Sequence, residues 1–414
     1  DVSNPRGWRY LYPPLFAILV SPLAALDPQW QAVVWYFISL AFAYGCHRES
    51  IRIWRLAVAA RATQPSAGAQ RAPPIWLGAI AAATLALPAL NCLQRGQVGI
   101  LVVYLILLGY RLTAENRSWW GPFAGGAALA GSIAIKLTPA LPALFLLGLL
   151  LLAAYSGRWS AVPTRRFAGA LAGTGIGLLW FIIILPGLAI GDAANLKHLH
   201  TWIDRVVVHN DMGEENNSGF YSVRNQSLAN AVQRLGNWSA YALAGGPSDL
   251  SGDDVTRRPA AAPIDQPAVQ HALAPVRLAL LALLVIGGWR TARRGGDLEM
   301  AAMFGLSSTL TLVISPLSWA HHYLLWLPGL LLVPAWQWQA GRTGKAKALA
   351  ISACGLMVAH YLLLDWTGRA GVLGLGTTIW FIVAVRTAAR GDLEHRALRI
   401  DPADRLTEAA RQAA

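Results

Sequence analysis

Three stretches of this chain hold residues whose types and spacing suit chemistry: Ser315-Pro-Leu-Ser-Trp-Ala-His-His-Tyr323, Ala134-Ile-Lys-Leu-Thr-Pro139 and Asn91-Cys-Leu-Gln-Arg-Gly-Gln97. Each ends or interrupts a long apolar run, where a polar group must find a partner or line a wet cavity. A lysine such as Lys136, closing a nearly charge-free run, costs about 2.5–3.5 kcal/mol on insertion scales unless it reaches water. Pairing with an anion offsets that cost, and lysine binds phosphate as a point charge. The competing reading is a terminal lysine that snorkels to the surface. Arg95 adds a second cation, and Gly96 lets the backbone turn tightly or approach a ligand closely. Asn91 and Gln97 can hydrogen-bond sugar hydroxyls, although Asn91 alone reads as the cap of a hairpin loop. His321 and His322 suit proton transfer or the holding of a phosphate as imidazolium. An interfacial turn, broken by Pro316 and anchored by Trp319 and Tyr323, accounts for the aromatics but less well for two histidines. On an α-helix beginning near Ala320 the two would point about 100° apart, so both are not expected to face one ligand equally.

The elements that must position these residues are membrane spans. The 414 residues are 55% hydrophobic and 13% charged, with mean hydropathy +0.43, against about 25% charge in a soluble domain. Long apolar segments recur throughout, which predicts an all-α, polytopic transmembrane bundle of about eleven spans. They are 30–46, 76–90, 98–112, 121–135, 140–155, 167–190, 273–289, 301–314, 323–338, 349–364 and 372–385. Leu15–Leu26, short and containing Pro22, reads as an interfacial helix. The expected organisation is an outer loop and interfacial helix over 1–29 and an N-terminal membrane module over 30–190. A long external loop over 191–271, a C-terminal module over 272–386 and a cytoplasmic tail over 387–414 follow. The Ala-, Pro- and Asp-rich part of that loop, 245–267, is expected to be disordered. The polar start at Asp1, without an initiator Met, reads as a fragment whose first span is missing.

Arg and Lys gather in every second connection: 47–75, 111–120, 156–166, 290–296, 341–347 and the tail. The positive-inside rule then sets the C-terminus in the cytoplasm of a plasma-membrane protein and the three polar stretches on the extracytoplasmic side. In that arrangement Cys92 faces outside, Cys46 inside, and Cys354 lies buried within a span. The net charge of +13 records this orientation, and with the basic residues scattered over short loops nucleic acid is not expected as a partner. No ligand-spaced His, Cys and carboxylate set points to a metal, and no nucleotide-binding pattern is present, so no cofactor is expected. In the long loop, Asn217, Ser218, Arg224 and Asn225 are candidates for acceptor contacts over an external cavity.

These residues, in this order, resemble glycosyltransferase family 87, polytopic enzymes of the GT-C, polyprenyl-phosphate-mannose-dependent type. The resemblance rests on Tyr12-Pro-Pro-Leu-Phe16, Gly96-Gln97, Ala134-Ile-Lys-Leu-Thr-Pro139, Asn217-Ser218 and Ser315…Ser318-Trp…His321-His322-Tyr323. It implies transfer of a hexose, mannose first, from a polyprenyl-phosphate sugar to a glycolipid or glycan, in contact with membrane lipids and on the extracytoplasmic face. It also implies a carboxylate general base in the first external loop, upstream of Asp1. Lys136, with Arg95 or a protonated histidine, would then stabilise the leaving phosphate, with His322 the first choice for donor contact. Tyr12 and Trp319 would stack on the sugar or prenyl chain. The alternative is a transporter or flippase of a lipid-linked or polar solute. Transporters place charges near the bilayer midplane in repeated halves, and no internal repeat is visible here.

Overall fold

A computed structural model describes residues 12–62, 74–115, 118–157, 161–208, 225–243, 266–294, 297–363, 367–368 and 370–399. The candidate loop residues Asn217, Ser218 and Arg224, the stretch 245–267 and the neighbourhood of Asp1 lie outside them.

The described chain is helical, and every segment expected to span forms a helix. The elements in order are α1 (Pro14–Val20), a 3-10 turn at Ser21–Ala25, α2 (Pro28–Ala62), α3 (Ile75–Gln94), α4 (Gly99–Glu115), α5 (Trp120–Ile135), α6 (Ala140–Ser156) and α7 (Ala161–Leu178). A wide π turn at Leu179–Ile184 continues α7 into α8 (Leu185–Ile190). There follow α9 (Asp192–Trp202), α10 (Leu228–Leu243), α11 (Gln266–Arg294), α12 (Asp297–Ile314), a 3-10 segment at Ala320–Trp326, α13 (Leu327–Gln339), α14 (Thr343–Leu362) and α15 (Val372–Arg399). By length and composition, Ile75–Gln94, Ala161–Ile190 and Ala268–Arg293 are long and apolar enough to cross a membrane. Shorter apolar helices such as Trp120–Ile135, Ala140–Ser156 and Leu298–Ile314 complete the bundle. Large apolar side chains stand exposed around it, among them Phe37, Leu144, Leu188 and Leu278. Such a surface suits hydrocarbon rather than water.

α12 is the axis of the bundle. Every residue from Ala301 to Val313 is buried, and the helix packs against α2, α6, α11, α13 and α15. On its flank Phe304 stacks on Tyr110 of α4, with ring centroids 4.7 Å apart. α5 and α7 make the tightest pair. A β-carbon on Gly126 would fall 2.2 Å from the carbonyl oxygen of Ala170, and one on Gly173 would fall 1.9 Å from that of Phe123. The two backbones therefore touch, and only glycine fits at those crossings.

The segment expected as a long loop, 191–271, is largely helical where it is described. α9 turns off at Gly191, whose φ of +88° suits a residue without a side chain. α10 is strongly two-faced, burying Leu228, Ala229 and Ala231. Amphipathic helices of this kind form only against a partner, which polarity alone does not reveal. The cysteines also depart from expectation. Cys92 has no exposed surface, its thiol donating to the Gln97 carbonyl at 3.2 Å, and Cys354 is half-buried.

Candidate functional site

The turns that join α3 to α4, α5 to α6 and α12 to α13 meet at one end of the bundle, together with the residues leading into α1. Each turn has a local cause. After Gln94 the chain reverses at Gly96, with φ +62°, and the indole N–H of Trp35 donates to the Gly96 carbonyl at 3.0 Å. α5 stops at Lys136, which is extended, because Pro139 forbids continued helix and starts α6 instead. α12 stops before Pro316 for the same reason, and the chain runs extended to Trp319 before the 3-10 turn begins.

What these turns bring together is a lysine on a histidine. Lys136 Nζ lies 3.0 Å from His322 Nε2, and it also sits 5.8 Å from the centre of the Tyr12 ring. The Tyr12 hydroxyl donates to Gln97 Oε1 at 2.9 Å, and Arg95 lies over the Trp319 indole at 5.6 Å. Tyr12, Phe16 and Trp35 pack edge to face in series, fixing the entrance of α1 to the Gly96 turn. Lys136, His322, Tyr12, Gln97, Asn91 and Trp319 are half-buried, and Arg95 is exposed.

The histidine tautomer follows from its neighbours. His322 Nδ1 is 3.2 Å from the Leu317 carbonyl, which can only accept, while an ammonium at Nε2 can only donate. Both are met by Nδ1–H with a lone pair on Nε2. The Trp319 N–H approaches Nδ1 at 3.4 Å, a longer and weaker alternative. Burial, then the charge of Lys136 and the neighbouring His321, hold His322 well below the usual histidine range, so it is neutral. The imidazolium considered from sequence is thereby replaced by a neutral acceptor that aims the ammonium. Burial also pushes Lys136 down to about 8. Among the described residues no carboxylate pairs with Lys136, and the carboxylates of Glu49 and Glu115 pair with Arg52 and Arg111 elsewhere.

That ionisation fixes a pH dependence. For a function that needs the ammonium, kcat/KM should be level on the neutral side and fall as pH rises through about 8, where Lys136 loses its proton. A bound phosphodiester anion favours the charged form, so kcat should fall at a higher pH than kcat/KM. A fall centred near pH 6.5, the ordinary histidine value, would instead restore the imidazolium.

His321 takes a different position. The turn is 3-10, so adjacent side chains diverge by about 120° rather than 100°. Its ring meets that of His322 edge to face with centroids 4.4 Å apart, is 6% exposed, and leaves Nδ1 without a partner. Burial, with the charges of Lys136 and Arg95, pushes it down to about 3. Asn225, expected to touch an acceptor, is instead fully buried against the histidine turn. The sequence reading missed Thr138, whose buried hydroxyl lacks a partner two residues beyond Lys136, although the Lys-Leu-Thr-Pro run contained it. It also missed Arg234, pushed down to about 9 by burial, whose Nη1 donates to the Asn225 carbonyl at 2.9 Å. Among the described residues no group of three His, Cys, Asp or Glu side chains could hold a metal.

The other end of the bundle is basic. α4 starts beside the site, where a β-carbon on Gly99 would lie 3.6 Å from the His321 carbonyl oxygen. Its 17 residues rise about 25 Å. At its far end Arg111 is bonded to Glu49 and Glu115, and Arg166 donates to the Ala114 carbonyl at 2.6 Å.

The family model for glycosyltransferase family 87 matches residues 10–316. A curated relative from Mycolicibacterium smegmatis (strain ATCC 700084 / mc(2)155) is 27% identical over 321 residues, covering 77% of this chain and 59% of the relative. Its name is polyprenol-phosphate-mannose-dependent alpha-(1-2)-phosphatidylinositol pentamannoside mannosyltransferase. A protein of the same name from Mycobacterium tuberculosis (strain CDC 1551 / Oshkosh) is 24% identical over 328 residues, covering 78% of this chain and 57% of the relative. The chain thus spans less than two thirds of the length of these relatives. No solved structure matches it.

Proposed function

The chain belongs to glycosyltransferase family 87, and on that premise we propose that it moves a mannosyl group from a polyprenyl phosphate to a hydroxyl of a glycolipid or glycan acceptor on the extracytoplasmic face of the plasma membrane. The observation that carries this reading is Lys136. It is a cation without a carboxylate partner among the described residues, aimed by a neutral histidine at the end of a membrane bundle.

In the transfer, the acceptor oxygen attacks the anomeric carbon as the bond from that carbon to the phosphate oxygen breaks. The electron pair stays on the phosphate, which changes from a monoanionic diester to a dianionic monoester. A cation placed where that charge develops binds the transition state more tightly than the donor. Lys136 has three N–H donors and gives one to His322, and the remaining two are suited to phosphate oxygens. The exposed Arg95 on Trp319 and the Tyr12–Gln97 pair flank it, one with charge and an aromatic face, the other with a hydroxyl and an amide for sugar. The acceptor proton goes to a carboxylate general base, a role that the family resemblance implies. The relatives' names supply mannose and the polyprenol phosphate, and the acceptor follows from them as a class.

The test uses the full-length protein in membranes supplied with radiolabelled polyprenyl-phosphate mannose. A transferase converts label into a new glycolipid or glycan, whereas a transporter returns the donor unchanged on the other side. Donor that relocates without a new product overturns the reading. The face is tested separately. Because Cys46 and Cys92 are buried, introduced cysteines serve better: Gln94→Cys beside the site and Ser156→Cys at the basic end, both exposed positions. A membrane-impermeant maleimide on intact cells should label Gln94→Cys and spare Ser156→Cys, and the reverse would place the site in the cytoplasm.

A further inference from the structure

His322 keeps its lone pair toward Lys136 because something holds the Leu317 carbonyl in place, and that support comes from a different part of the chain. Residue 225 forms an isolated antiparallel bridge with Trp319, where the Gln226 N–H donates to the Ser318 carbonyl at 2.9 Å. The Asn225 side chain has no exposed surface and spans both peptide units flanking Leu317. Its Oδ1 accepts from the Ser318 N–H at 3.0 Å, and its Nδ2 donates to the Pro316 carbonyl at 3.3 Å. The same Oδ1 accepts from the Ser227 N–H at 3.1 Å, closing a turn that keeps the amide from rotating. The Asn225 carbonyl in turn accepts from Arg234, itself bonded to Asn230. Within the second of these units, the Leu317 carbonyl accepts from the Ser315 hydroxyl at 2.7 Å and from His322 Nδ1–H at 3.2 Å. The Tyr323 hydroxyl, next to His322, closes the loop by donating to the Gln226 carbonyl at 3.0 Å.

We propose that Asn225 is a positioning residue for the transfer: by clamping Pro316 and Ser318 it fixes the Leu317 carbonyl, which holds His322 as the Nδ1–H tautomer with Nε2 directed at Lys136. It touches no reacting atom. A side chain that only stabilised the fold would not need to bracket the one carbonyl that sets the histidine proton. An amide suits the task because it offers an acceptor to one peptide unit and a donor to the other, whereas an ionised carboxylate can only accept. The role rests on the transferase reading for its kinetic part, whereas the tautomer can be measured without turnover.

The experiment compares the full-length protein with Asn225→Ala in nanodiscs, reading the His322 ring nitrogens by selective 15N NMR and transfer with polyprenyl-phosphate mannose. The wild type should show Nδ1–H. The variant should show a mixture with Nε2–H, and kcat should fall about 10- to 100-fold with KM within about twofold, as expected for misplacement of a catalytic group. A folded variant with an unchanged tautomer, or with wild-type kcat, overturns the proposal. If Asn225→Ala does not fold, Asn225→Asp carries the same readouts. Read above the pKa of its carboxyl, it keeps the shape and both acceptor contacts and sets an oxygen that cannot donate against the Pro316 carbonyl, so an unchanged tautomer there also overturns it. Ser227→Ala is the control, removing the hydroxyl that accepts from the Asn230 N–H at 3.2 Å without touching the clamp. It should lower thermal stability while tautomer and kcat stay as in the wild type, and a tautomer shift there would reduce Asn225 to one part of a general scaffold. A wild type that makes no mannosylated product would count against the transferase reading, and its tautomer would still decide the Asn225 clamp.

Discussion

Replacing Lys136 by Met in the full-length protein should lower mannosyl transfer about 30- to 1,000-fold, the range for removing one charge-assisted contact worth about 2–4 kcal/mol to a developing phosphate charge. Most of the loss should fall on kcat, because the second negative charge on the phosphate appears only as the bond to the sugar breaks. Expression and insertion should not suffer. Removing a half-buried cation with no carboxylate partner among the described residues relieves a desolvation cost. Met keeps the length and the contact with the Tyr12 ring. The alkaline fall near pH 8 should vanish from the residual activity. Transfer within about threefold of wild type would reduce Lys136 to a membrane anchor.

The second large effect concerns His322. His322→Ala should cost roughly 10- to 150-fold, since a hydrogen bond to a charged group contributes about 1.5–3 kcal/mol. The loss arises because the ammonium is left without its acceptor and swings away. His322→Gln separates the possible roles. The amide oxygen can accept from Lys136 where Nε2 did, so Gln should recover much of the rate, with no fall in either enzyme around pH 6.5. A Gln variant as poor as Ala, with wild-type activity falling through pH 6.5, would mean that the histidine acts as a cation. His321→Gln should be the milder change, because His322, not His321, makes the hydrogen bond to Lys136.

Much of this was legible in the sequence because a membrane imposes a simple rule: apolar runs become helices, and polar interruptions end them. Lys136, His322, Gln97 and Tyr12 announced themselves by standing at such ends, and they are in contact. The direction of each contact was not legible. Whether His322 is a cation or an acceptor depends on a carbonyl five residues earlier and on an amide nearly a hundred residues away. No spacing rule connects Asn225 to Leu317. Asn225 looked like a sugar contact because exposed amides often are, and it is buried because the segment leading into α10 pairs with the histidine turn. The buried thiol of Cys92 escaped notice similarly, since a turn residue at a helix end is ordinarily wet.

The glycine crossings between α5 and α7 have a mechanical consequence. With backbone against backbone at Gly126 and Gly173, no layer of side chains can compress or slide between the two helices. The lysine turn therefore rides on a stiff twin strut, and the histidine turn hangs from the fully enclosed α12. The apolar side chains that face outward, Phe37, Leu144 and Leu188 among them, stand on other helices or faces than the two turns that hold Lys136 and His322. In the proposed transfer, the spacing of Lys136 and His322 is thus set by packing inside the protein rather than by the lipid around it.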